Sequence, residues 1–166
     1  MPITSFSRFE PLPKVWGSLP VPSGQSYASR MAQERERNNQ FVDLLNAFRH
    51  SGGLARAQEV AARFKRQGVG DISPLAAWLV KREVLSIEWQ SKLWLPLFQF
   101  HPVGMTLRAG LSNVLAELVG VYNDWELARW FAQPNPWLTD QTPADSLAVA
   151  ADQVLDAARA ERFSQA

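Results

Sequence analysis

VLSIEWQSKLWLPLFQF, Val84 to Phe100, is the stretch on which the fold turns. Leu85, Ile87 and Trp89 alternate with Ser86 and Glu88, a period of two, and Gln90-Ser91-Lys92 separates them from a second apolar run, Leu93 to Phe100. Alternation of this kind puts successive side chains on opposite faces of an extended chain, so the segment predicts a β-hairpin. On either side of it the apolar spacing is three and four residues, which is the period of helices. The expected fold is mainly α with one small hairpin.

Upstream, Tyr27 to His50 carries Met31, Phe41, Leu44, Leu45 and Phe48 at helical spacing behind a charged ERER start, and Ser51-Gly52-Gly53 is a stop. A second helix is expected over 54–67, with Leu54, Ala57, Ala61 and Phe64 on one stripe and Arg56, Arg63, Lys65 and Arg66 outside. A third is expected from Ser73 as cap and Pro74 in the first turn through to Arg82. Helix, turn, helix, hairpin is the order of a winged helix-turn-helix, in which the third helix enters a major groove and the hairpin touches backbone. Arg63, Lys65, Arg66, Lys81 and Arg82 are then the candidate DNA-binding residues. The third helix spends Leu75, Trp78 and Leu79 on an apolar face, so few of its side chains are left to read bases, and a plain helical domain closed by a hairpin competes with this reading.

Residues 1–26 hold Pro2, Pro11, Pro13, Pro20 and Pro22 with four Gly or Ser residues between 17 and 24, a composition that reads as a flexible Pro-rich arm. Its Phe6, Phe9 and Trp16 predict docking on the body of the protein or on a partner. The division expected is thus an arm over 1–26, a helical region with hairpin over 27–100, and a helical domain over 101–166.

Downstream, Thr106 is a candidate cap for a helix presenting Leu107, Leu111, Val114, Leu115 and Leu118, and Asp124 for another over WELARWFA. The stretch WFAQPNPWLTDQTPADSL, 130 to 147, then places Pro134 and Pro136 where a helix must stop and Asn135 where its side chain can bond the local backbone. Thr142-Pro143-Ala144-Asp145 restarts helix with a hydroxyl cap, a first-turn proline and a carboxylate at the positive helix end. Trp130 and Leu138 read as core. Trp137 is open between core and exposed anchor.

These residues resemble the Xre/MbcA/ParS-type toxin-binding antitoxin family, the antitoxins paired with RES-domain toxins. WFAQPNPWLTDQTPADSL is similar to the family signature, VLAELVGVYNDWELARW to the helix pair before it, ADQVLDAARAERF to its closing helix with Val154 at an aliphatic position, and LPLFQF to a strand end ahead of the domain. The resemblance covers about residues 84 to 162. It implies a small helical domain that binds and silences a cognate toxin protein, for the RES group one that degrades NAD. Trp130, Asn135, Trp137, Leu138, Pro143 and Val154 would be its partner-binding residues, in a homodimer or a hetero-oligomer with the toxin. The family also implies an N-terminal region that represses its own operon by binding operator DNA. Residues 27–83 do not match an Xre-type motif, and the family commonly has Gly where Asp140 or Gln141 stands, so neutralisation is the leading expectation and a stand-alone interaction adaptor the alternative to it and to DNA regulation.

Composition narrows the other classes. The absence of cysteine removes disulfides, thiolate nucleophiles and Cys-based metal sites. Only His50 and His101 supply imidazole, each reading as a surface or capping residue, and no phosphate loop or metal-spaced cluster appears, so the expectation is a protein without enzymatic activity or cofactor. The longest bulky apolar run, LWLPLF, is too short for a bilayer and the start shows no signal-peptide pattern, which predicts a cytoplasmic protein with no membrane partner. Residues 1–92 carry 13 Lys+Arg against 8 Asp+Glu and residues 93–166 carry 4 against 8, a basic half suited to phosphate followed by an acidic one suited to protein, or two solvated faces.

Overall fold

The computed structural model describes residues 26–67 and 72–165; the expected arm lies outside them except for Ser26. Residues up to Arg35 and residues from Glu36 onward form separate compact units. Within the first, Ser26 caps the start of helix α1, Tyr27–Ala47, by accepting from the Ser29 amide at 3.2 Å, and every described residue is exposed. Packing described below concerns the second unit.

The protein is mainly helical with a small three-stranded antiparallel sheet. After α1 come β1 (Leu54–Arg56), α2 (Ala57–Arg66), α3 (Ser73–Val80), β2 (Ile87–Trp89), β3 (Lys92–Pro96), α4 (Leu111–Leu118), α5 (Asp124–Ala132), α6 (Pro143–Ser146) and α7 (Ala151–Ser164). The hairpin is present where the period of two placed it. Gln90 and Ser91 alone make the turn, with φ of 49° and 56°, as a two-residue loop of right-handed twist requires, so Lys92 belongs to β3 and faces Trp89.

One strand was not expected. Leu54–Arg56 is β1 rather than the first turn of a helix: it pairs with β3 in the register Leu54↔Pro96, Ala55↔Leu95 and Arg56↔Trp94, giving the sheet order β1-β3-β2. Three residues are too few to show a period, and the helix that follows supplies its own start. The Arg56 amide donates to Glu59 at 2.9 Å, and this bond, then the Arg56 guanidinium, holds the Glu59 carboxyl below its usual range. With β1 in place, the order α1-β1-α2-α3-β2-β3 is that of a winged helix-turn-helix.

Both faces of the sheet are covered, and this decides how the molecule is divided. Leu93 and Leu95 face a cluster with Val60, Phe64, Leu75, Val84 and Phe100, under α2 and α3. Ile87, Trp89 and Trp94 face the larger cluster, which joins Phe41 and Leu44 of α1 and Phe48 just after it to Leu111, Leu115, Leu127, Phe131, Leu138, Val154 and Ala158. Trp89 stacks on Phe41 with ring centroids 3.9 Å apart and donates its indole N–H to Asn38 at 3.1 Å. The boundary expected at residue 100 is therefore not a packing boundary: α1, the hairpin and the C-terminal helices share one core, each fully buried Leu or Phe contributing about 1.5–3 kcal/mol.

Gln99 links the layers. It lies in a 3₁₀ turn, Leu97–Gln99, and is fully buried. Its side-chain oxygen accepts from the Leu85 amide, and its NH₂ donates to Leu85 O and Pro96 O, both at 2.9 Å. The side chain thus completes the hydrogen bonds of residue 85, just ahead of β2, where no neighbouring strand does so.

Three helix starts differ from expectation. Leu107 does not open a helix after Thr106; it forms an antiparallel bridge with Phe100, and α4 begins only after Gly110, whose φ of 82° suits glycine and whose missing Cβ would come within 2.9 Å of Ala151 Cβ. The cap of α5 is Asn123, not Asp124: its side chain accepts from the amides of Trp125 and Glu126 at 3.0 Å, and Glu126 accepts from the Asn123 amide at 2.8 Å. α3 likewise starts with Ser73 in its first turn behind Ile72. No helix among the described residues is long and apolar enough to cross a membrane.

Candidate functional site

The corner between α5 and α7 is built around Asn135. α5 stops at Ala132 because Pro134 and Pro136 follow. The Asn135 side-chain oxygen accepts from the Trp137 amide at 2.9 Å, starting a 3₁₀ turn over Pro136–Leu138. Its carbonyl accepts from Leu138 at 2.9 Å and Asp140 at 3.1 Å, and its amide donates to Gln141 at 3.0 Å. Thr139 and Asp140 close the loop in left-handed conformation, with φ of 55° and 59°. Thr142 then caps α6 by accepting from the Asp145 amide at 3.1 Å, with Pro143 in the first turn, as the sequence predicts. The whole turn is a hydrogen-bonded bracket, and its 3₁₀ segment packs against α7.

The exposures within this bracket divide the expected partner-binding residues. Trp130, Asn135, Leu138, Pro143 and Val154 are all buried, so they shape the corner and cannot themselves meet a partner docking on its surface. Trp137 is 70% exposed. It is the one member of the set that stands outside, on a turn whose backbone is hydrogen-bonded through Asn135.

Among the expected DNA-binding residues, Arg63, Lys65, Arg66, Lys81 and Arg82 are all exposed. Arg82 is engaged: its guanidinium pairs with Asp124 at the start of α5, tying the end of α3 to the C-terminal helices. Between them α3 presents Ala76, Ala77 and Val80 to solvent, side chains without hydrogen-bonding groups.

A further grouping has no counterpart in the sequence reading. His50 and His101, the two histidines of the chain, line the same cleft as Arg63 and Arg108. Nothing in the spacing pairs them. The chain reversal at Gly52-Gly53 and the bond from Leu97 N to Gly53 O at 2.9 Å bring the end of α1 beside the 3₁₀ turn and the segment after it. No group of three or more His, Cys, Asp or Glu side chains suited to a metal ion occurs among the described residues.

Comparison with models of protein families, with curated proteins and with solved structures finds no match.

Proposed function

We propose that the protein is an antitoxin-like binder that captures and neutralises a toxin protein through the corner carrying Trp137. The observation that carries this reading is a large aromatic ring 70% exposed on a hydrogen-bonded bracket. Tryptophan is enriched at interface hot spots, and a side chain carried on a backbone already folded in the free protein adds no backbone ordering cost on docking. The resemblance of residues 84 to 162 to the toxin-binding antitoxins supplies the kind of partner, a RES-domain toxin that degrades NAD.

The test is affinity purification of the tagged protein from its native cells, followed by expression of the retained protein alone and together with this chain. A partner that depletes NAD and arrests growth alone, is silenced by the wild type, and is not silenced by Trp137→Ala supports the reading. Recovery of no toxic partner, or full silencing by a folded Trp137→Ala protein, refutes it.

A second reading, repression of an operon, is favoured by the sheet order β1-β3-β2 and by the exposed cations of α2. With Ala76, Ala77 and Val80 on the outside of α3, such binding would rest on phosphate contacts. Fluorescence anisotropy on DNA from upstream of the gene should then show a steep salt dependence whose slope falls by about one for each of Arg63, Lys65 or Arg66 removed.

A further inference from the structure

The cleft shared by the two histidines has a volume of about 410 Å³, within the range of small-ligand sites, and opens to solvent between α2, the segment 97–108 and α6. Its charged lining is unbalanced. Arg63 and Arg108 face one carboxylate, Asp145, and the imidazoles of His50 and His101 add donors. Asp145 is partly occupied already, its carboxylate accepting from the Thr142 hydroxyl at 2.7 Å. Among the described residues, the side chains of His50 and His101 have no hydrogen-bond or ion-pair partner, and Arg63 makes no hydrogen bond, its charge acting at longer range on Glu59.

One of these donors is held in position, and the backbone around the others is tied down. Arg108 is half-buried and donates its Nε–H to Phe98 O at 2.7 Å, which fixes the plane of the guanidinium and leaves its terminal nitrogens free to bond in pairs. Gln67, at the end of α2, donates to Pro102 O at 2.7 Å and accepts from the Gly104 amide, fastening the loop after His101 to the helix that carries Arg63. The His101 amide donates to Thr106 O at 2.8 Å. Beneath these groups the floor is apolar, from Leu97, Phe100 and Met105.

We infer that this cleft binds a small organic phosphate monoester with an aromatic or apolar body. Two guanidinium groups and two imidazoles offer more donors than a single carboxylate can use, and they match a dianionic group with three acceptor oxygens. The volume exceeds what free phosphate would fill, and the apolar floor gives the body of the ester a place. The inference does not depend on the antitoxin reading, since the site lies apart from Trp137 in the lining and needs no protein partner.

Isothermal titration of the full chain tests it, with phenyl phosphate and adenosine monophosphate as probes and adenosine and inorganic phosphate as comparisons. The expected result is saturable binding of one or both esters at one site per chain, about tenfold tighter than either comparison compound. Arg63→Gln and His101→Gln, both at exposed positions, should each weaken it by about tenfold with the melting temperature unchanged, whereas Arg129→Gln on α5 should leave it intact. Failure of both esters to saturate at millimolar concentration overturns the inference. So does binding that Arg63→Gln and His101→Gln leave unaltered, or inorganic phosphate or adenosine binding as tightly as the esters.

Discussion

Gln99→Leu removes one acceptor and two donated hydrogen bonds from a site with no exposure to water. The replacement has similar volume, so the loss is electrostatic and not a cavity. It strands the Leu85 amide, the Leu85 carbonyl and the Pro96 carbonyl. Stranding a buried donor or acceptor costs about 1–3 kcal/mol each, with carbonyls at the lower end and the added apolar burial offsetting part, for a net loss of about 3–5 kcal/mol. Against a urea slope of about 2 kcal/mol per molar, the unfolding midpoint followed by tryptophan fluorescence should fall by about 2 M. Gln99→Glu extends the argument. The introduced carboxyl would be buried, and facing two carbonyl oxygens it is favoured in its proton-bearing form, so its pKa rises in the folded state. A raised folded pKa gives stability that is present below the unfolded pKa of about 4.3 and lost as pH rises through the folded value. Gln99→Glu should therefore lie closer to wild type at pH 4 than at pH 7. A midpoint shift below about 0.5 M for the leucine variant, or a pH-independent gap for the glutamate variant, would refute the assigned role of Gln99.

Trp137→Ala should change stability by less than about 0.5 kcal/mol, whereas Trp130→Ala seven residues earlier should cost about 3–5 kcal/mol; equal losses in urea melts would show that Trp137 is core. Gly110→Ala should destabilise by about 2 kcal/mol, because the new Cβ must sit at positive φ and against Ala151, and a neutral result by calorimetry would contradict the geometry. The Tyr122 hydroxyl is pushed up to about 12, first by burial and then by its hydrogen bond to Glu161, from an ordinary value of 10.0. The stability this gives is complete below the unfolded value and disappears as pH rises through about 12, so Tyr122→Phe should show a shallower alkaline loss than wild type in pH-dependent melting.

The parts of the fold legible in the sequence are those set by neighbours in the chain. Ser86 and Glu88 alternate with apolar residues, and β2 forms there; Thr142 and Pro143 sit where a cap and a first turn belong, and α6 starts there. Leu107 misled because it stands four residues before Leu111, the correct helical spacing, while a distant strand end, Phe100, competes for its backbone. The three residues of β1 are defined only by their partner β3, about forty positions away. In the corner at 130–147 the sequence could not sort buried residues from exposed ones. Asn135 and Trp137 are two apart in one turn, and only the packing of α7 decides that the first is buried and the second exposed. The cleft was illegible for the same reason, His50 and His101 being brought together by a glycine reversal and a sheet register.

The shared core has a consequence for how the protein can lose its fold. A cut after residue 100 would leave Phe41, Phe48, Leu85, Ile87 and Phe98 on one fragment and Leu111, Leu115, Phe131 and Val154 on the other, each facing water. Neither fragment retains the surface that buried its apolar residues. The Trp137 corner, whose supporting residues Leu138 and Val154 belong to that core, therefore depends on segments on both sides of residue 100.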